Sequence, residues 1–228
     1  MQTGEFVAAF REAFGPVPEL PLLFRYTDEP LRPAAKAGGC FFKALAEARD
    51  GRPVGLNASN IGCGGGKFYT GFSPMPEFVP QFVSLKERYK QTPEMVLDFI
   101  AALDLRPAPK AWLEFVRVDA AGTFDGAEGV LFFATPDVLA GLVTWAGFDN
   151  DAPDAVAAPF GSGCSTVVSQ AVRENRNGGP QRFPGAVRSF GAPVGRCGRI
   201  VFRYSDVAFC RDVRHDACKL SVRNPCVG

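Results

Sequence analysis

The stretch GVLFFATPDVLAGLVTWA (residues 129–146) decides the fold class. Its opening residues, Gly129–Ala134, form an unbroken apolar run of strand length, as expected of a strand covered on both faces. Thr135-Pro136-Asp137 then sets a capping hydroxyl directly before a proline at the first helical position, which starts a helix reaching about Ala146. A buried strand feeding straight into a helix is the unit of a layered α/β architecture.

Working outward, the same alternation recurs. Glu5–Phe14 places Phe6, Val7, Phe10 and Phe14 at helical spacing and stops at Gly15-Pro16. Leu20–Tyr26 reads as a strand, Cys40–Arg49 as a helix closed by Asp50-Gly51, and Val54–Ala58 as a short strand. Glu77–Tyr89 is helical in pattern, and Thr92-Pro93-Glu94 opens another helix with the cap-plus-proline signal. Trp112–Val118 alternates as a strand, Ala155–Ala158 is a short strand, and Ser165–Glu174 a helix. The expected fold is α/β, mixed α+β layers with short strands and helices alternating around one sheet, with at least some parallel pairing. There is no internal repeat or heptad.

The 228 residues suit one domain with a core large enough to fold without disulfides or metal. No apolar run approaches the roughly 18 residues that span a bilayer, and Met1–Glu5 lacks the basic start of a secretory leader. A cytoplasmic protein with no membrane partner is therefore expected. Reduced thiols follow, and seven cysteines without a CxxC pair do not form a disulfide framework.

Charge divides the chain. Through Arg182 there are 17 Lys+Arg against 21 Asp+Glu; from Phe183 onward there are 8 against 3. The acidic body gives no electrostatic case for nucleic acid. Residues 1–182 read as a single globular domain. Residues 183–228 form an atypical, irregular tail carrying four of the seven cysteines and the lone histidine, His215. Without histidine in the body, Ser-His-Asp and Cys-His activation lose their usual base, and His-containing metal sites are excluded there.

Three cysteines of the body sit beside glycines: Cys40 after Gly38-Gly39, Cys63 within Gly62–Gly66, and Cys164 between Gly163 and Ser165. A thiol at a helix start feels the positive end of the dipole, and glycine lets a ligand approach the backbone. Cys40, Cys63 and Cys164 could converge on an iron–sulfur cluster or other metal, although their spacing matches no compact ferredoxin pattern. They could equally be reactive thiols or inert buried ones.

Gly64, Gly65 and Gly66 followed by Lys67 could present amides and charge to a small anionic ligand, as could Gly163 and Ser165 at the next helix start. The alternatives are a tight turn needing positive φ and simple helix caps. Phe68, Tyr69 and Phe72 read as core. Glu114, Asp119 and Asp137 are scattered and suggest no acid–base pair, and Asp149–Asp154 reads as a solvated turn.

Gly39–Arg49, Gly62–Phe72 and Phe160–Thr166 (FGSGCST) together resemble domain of unknown function 169, the ArCR family, over about residues 20–180. The resemblance implies no established activity. It does imply a continuation of Phe-Asp-Pro-Ser type, which is missing here. Gly185–Pro193 (GAVRSFGAP) admits codons that, shifted by one base, read GLFDPSVRP. A reading-frame change between about Arg182 and Ala186 is therefore expected, leaving the tail without a matched core partner. For function, the expectation is a small-ligand or metal-binding domain. The alternatives are a thiol-dependent enzyme with Cys63 as nucleophile or redox group, and a structural domain with inert thiols.

Overall fold

Phe6, Phe10 and Phe14 repeat every fourth residue, and a helix gathers them on one face. That helix is α1 (Thr3–Phe14). The computed structural model describes residues 2–34, 40–148, 168–169, 188–189 and 198–202. The expected strand at Ala155–Ala158 lies outside the described residues, as does all but residues 168–169 of the expected helix at Ser165–Glu174.

Strand β1 (Leu22–Thr27) is followed by a 3₁₀ turn at Phe41–Lys43, α2 (Leu45–Arg49) and β2 (Val54–Leu56). A helical excursion comes next. It comprises α3 (Gly64–Tyr69), α4 (Val79–Gln81), a π-helical turn at Phe82–Lys86, and α5 (Pro93–Ala102). The chain returns through β3 (Trp112–Arg117), α6 (Val118–Ala121), β4 (Gly129–Ala134) and α7 (Pro136–Phe148). In the tail, β5 (Arg188–Ser189) and β6 (Gly198–Phe202) add a two-stranded extension beyond β4.

The sheet order is β2-β3-β1-β4-β6-β5, and every strand pairs antiparallel with its neighbours. The mixed α/β class thus holds, while among the described residues no two strands pair parallel. The reason is topological. β1 and β2 run in the same direction across α2, but β3 lies between them. β3 and β4 likewise run in the same direction across α6, with β1 between them. This is a split βαβ arrangement. One isolated parallel bridge, Pro33 with Gly55, lies outside the strands.

Alternation along the strands sorts side chains onto two cores. On one face Leu23, Val130 and Phe132 meet Phe6, Phe10 and Phe14 of α1 and Val138, Leu142 and Trp145 of α7. On the other, Leu22, Phe24, Tyr26, Leu113, Phe115 and Leu131 meet Leu45 and Ala48 of α2, Ile61 and Val168. The sheet is covered on both sides, which is why Gly129–Ala134 reads as continuously apolar.

Two helical expectations need revision. Cys40–Arg49 is not one helix, because a tighter 3₁₀ turn (Lys43 N–H to Cys40 C=O, 3.0 Å) precedes α2 and lets Phe42 pack on the second core. Glu77–Tyr89 starts as α4 and widens into the π turn, where Glu87 N–H reaches back to Phe82 C=O at 2.9 Å. No helix among the described residues is long and apolar enough to cross a membrane.

Candidate functional site

The glycine run is neither a loop nor a positive-φ turn. Gly64, Gly65 and Gly66 form the first turn of α3, with Cys63 at its N-cap in an extended conformation (φ −101°, ψ 138°). Glycine disfavours a helix by about 1 kcal/mol per residue relative to alanine, so α3 must be held from outside, and its C-terminal end shows how.

The last carbonyls of a helix lack intrahelical partners, yet here each is satisfied. Gly66 C=O accepts from Thr70 N–H at 3.2 Å and from the Thr70 hydroxyl at 2.6 Å. Lys67 C=O accepts from Phe72 N–H (2.8 Å) and Phe68 C=O from Gly71 N–H (2.9 Å). That pair of bonds is the Schellman arrangement. Tyr69 C=O accepts from Ser169 Oγ at 2.6 Å, and Thr70 C=O from the Tyr26 hydroxyl at 2.7 Å. The positive φ belongs to Gly71 (+82°), where an added Cβ would lie 2.5 Å from Ala108 N and 2.6 Å from Arg106 O.

Lys67 N–H closes the first turn of α3 on the Cys63 carbonyl at 3.1 Å. Cys63 is half-buried and packs against the second core, as does Phe72. Tyr69 is buried, in line with its core assignment. At the other end, the Cys63 side chain makes no capping hydrogen bond to the first turn.

Cys40 is exposed and stands two residues before Phe42, which joins the same core as Cys63. Cys164, Gly163 and Ser165 lie outside the described residues. Val168, however, is fully buried in that core. Phe42, Cys63 and Val168 therefore meet in one apolar cluster on one side of the sheet. Among the described residues alone, no three His, Cys, Asp or Glu side chains assemble into a metal-holding group.

A second constellation escaped the sequence reading. Glu114 in the middle of β3 is fully buried and stands opposite Arg25 of β1. Arg25 donates to Glu114 Oε2 from Nε (3.0 Å) and Nη2 (2.9 Å), while Leu31 N–H donates to Oε1 at 2.5 Å. Gly55 of β2 faces the same Glu114, and the Pro30–Ala34 segment folds over it through Gly55 N–H to Arg32 C=O and Ala34 N–H to Gly55 C=O. The signal was present in WLEFVR and LLFRYT, each an apolar strand interrupted by one charge of opposite sign. The pair locks the β1–β2 loop onto the sheet.

A family model described as uncharacterised ArCR, domain of unknown function 169, matches residues 21–192. No curated protein and no solved structure matches the chain.

Proposed function

The chain belongs to the uncharacterised ArCR family, domain of unknown function 169, and we propose that it is a binding domain whose site forms where the Cys40, Cys63 and Cys164 segments meet. The ligand is a thiolate-held metal or iron–sulfur centre. A donor set of thiolates without histidine selects soft metals. Gly64, Gly65, Gly66 and Lys67 on one side, with Gly163 and Ser165 on the other, supply amides and a positive charge for an anionic part of the ligand.

The observation that carries this reading is the Ser169–Tyr69 hydrogen bond of 2.6 Å. It ties the chain just beyond Cys164 to the helix that Cys63 caps. A cytoplasmic setting, with thiols reduced, suits such a centre. Anaerobic purification followed by metal and acid-labile sulfide analysis tests it. Bound metal that is lost in Cys63→Ser supports the reading, and metal-free protein removes it.

A second reading rests on Cys63 alone, as a nucleophile or redox group at the start of α3, where its side chain makes no capping hydrogen bond. Fast alkylation of Cys63 in a metal-free, colourless protein would favour it. Slow alkylation of every thiol would leave the cysteines as structural groups.

The tail enters as a separate proposal. The charge reversal after Arg182 supports a functional domain that closes near residue 182, followed by out-of-frame sequence, while the family match itself runs on to residue 192. The pairing of β6 with β4 fits that reading, because ladder bonds use main-chain groups whatever the side chains. Resequencing the gene decides it. An intact frame in independent reads, with no alternative frame downstream, ends the proposal.

A further inference from the structure

The excursion between β2 and β3 carries large apolar side chains that the rest of the domain leaves uncovered. Of the eight exposed large hydrophobics among the described residues, five fall between Phe78 and Leu97. Phe78, Phe82 and Leu85 follow at helical spacing across α4 and the π turn, and they are 59%, 45% and 60% exposed. Phe78 and Phe82 stack only edge to face on one another, with centroids 6.1 Å apart. Lys86 and Arg88, both exposed, adjoin this stripe, with Glu87 between them. On α5, Met95 and Leu97 are each 44% exposed. They sit beside exposed Glu94 and Asp98 on a helix that contains no basic residue.

An apolar stripe adjoined by Lys86 and Arg88 and an acidic face of α5, centred on Glu94 and Asp98 with Met95 and Leu97 at its two edges, thus lie on one excursion. We infer that this excursion is a self-association surface. The Phe78–Phe82–Leu85 stripe with Lys86 and Arg88 of one copy packs on Met95 and Leu97 with Glu94 and Asp98 of a second copy. A two-fold contact pairs patch i with patch j and j with i, so a basic apolar stripe and an acidic face with apolar edges on the same unit satisfy it twice. An exposed apolar patch of this kind marks an interaction site. A formal net charge of +1 sets up no repulsion between copies. An anionic lipid surface, by contrast, would meet Glu94 and Asp98.

Sedimentation equilibrium of the full chain across the micromolar range tests this. The wild type is expected to dimerise. Phe82→Asp and the pair Lys86→Glu/Arg88→Glu should each weaken dimerisation about tenfold or more. Adding Glu94→Lys/Asp98→Lys to the charge-reversed pair should restore it. Circular dichroism reports whether Phe82→Asp remains folded; if it does not, the surface charge variants decide the question. A monomeric wild type overturns the inference. So does a dimer insensitive to these substitutions, failure of the second charge swap to restore association, or a monomer that instead sediments with phosphatidylserine vesicles.

Discussion

Ser169 Oγ donates a 2.6 Å hydrogen bond to the main-chain carbonyl of Tyr69, a residue one hundred positions earlier in the chain. Both residues are buried. The bond fastens the end of α3 to the segment that follows Cys164, and it completes the set of satisfied carbonyls on a helix that begins with three glycines. Ser169→Ala should remove a buried hydrogen bond to the Tyr69 carbonyl, lowering stability by about 1 kcal/mol. Urea unfolding followed by circular dichroism would measure this.

Gly71 is the steric keystone of the same helix end. Gly71→Ala combines a strained φ of +82° with a Cβ 2.5 Å from main-chain nitrogen. It should destabilise the fold by about 2 kcal/mol or more. Gly4→Ala is the contrasting case. Gly4 lies in α1 with nothing within 4 Å of an added Cβ, so the change should stabilise by about 0.5–1 kcal/mol. Paired thermal melts would show midpoint shifts of opposite sign.

Much of this framework is legible in the sequence. Gly129–Ala134 and Thr135-Pro136-Asp137 give β4 and α7, and the Phe6–Phe10–Phe14 repeat gives α1, because local pattern and tertiary burial agree there. The strand order is not legible. Alternating strands and helices report like-directed strands but not the antiparallel strand inserted between them. The helical state of Gly64–Gly66 is also hidden, since propensity argues against it. Long-range bonds from Tyr26 and Ser169, with the cap at Gly71, override that propensity. Of the candidate site, Cys63 and its shared core with the Cys40 segment belong to the described structure, while Cys164 lies outside the described residues.

The Arg25–Glu114 pair should behave as a coupled unit. Glu114→Ala removes the partner of a largely buried guanidinium and the acceptor of Leu31 N–H, which should cost about 3 kcal/mol or more. Replacing both residues, as Arg25→Met with Glu114→Leu, should cost clearly less than the sum of the single changes. A double-mutant cycle in urea reads the coupling directly.

Acid stability carries a contribution from Asp119. Two hydrogen bonds from Arg117, at 2.8 and 2.9 Å, hold the Asp119 carboxyl below its ordinary range. With the folded value below the unfolded one, the stabilisation is complete above the unfolded value and is lost as pH falls through the folded value. Asp119→Asn should therefore flatten the fall in stability below about pH 4 and leave its trend at neutral pH unchanged. The effect should be small, since both side chains are partly solvated and screened.

The central claim is that the three cysteine segments converge on a thiolate-held centre, and anaerobic metal and sulfide content tests it most directly. Bound metal is expected in the wild type, with loss of that metal in Cys63→Ser and retention in Cys210→Ser, which alters only the tail. Anaerobically purified protein that carries no metal, or a Cys63→Ser variant with undiminished metal content, would contradict it.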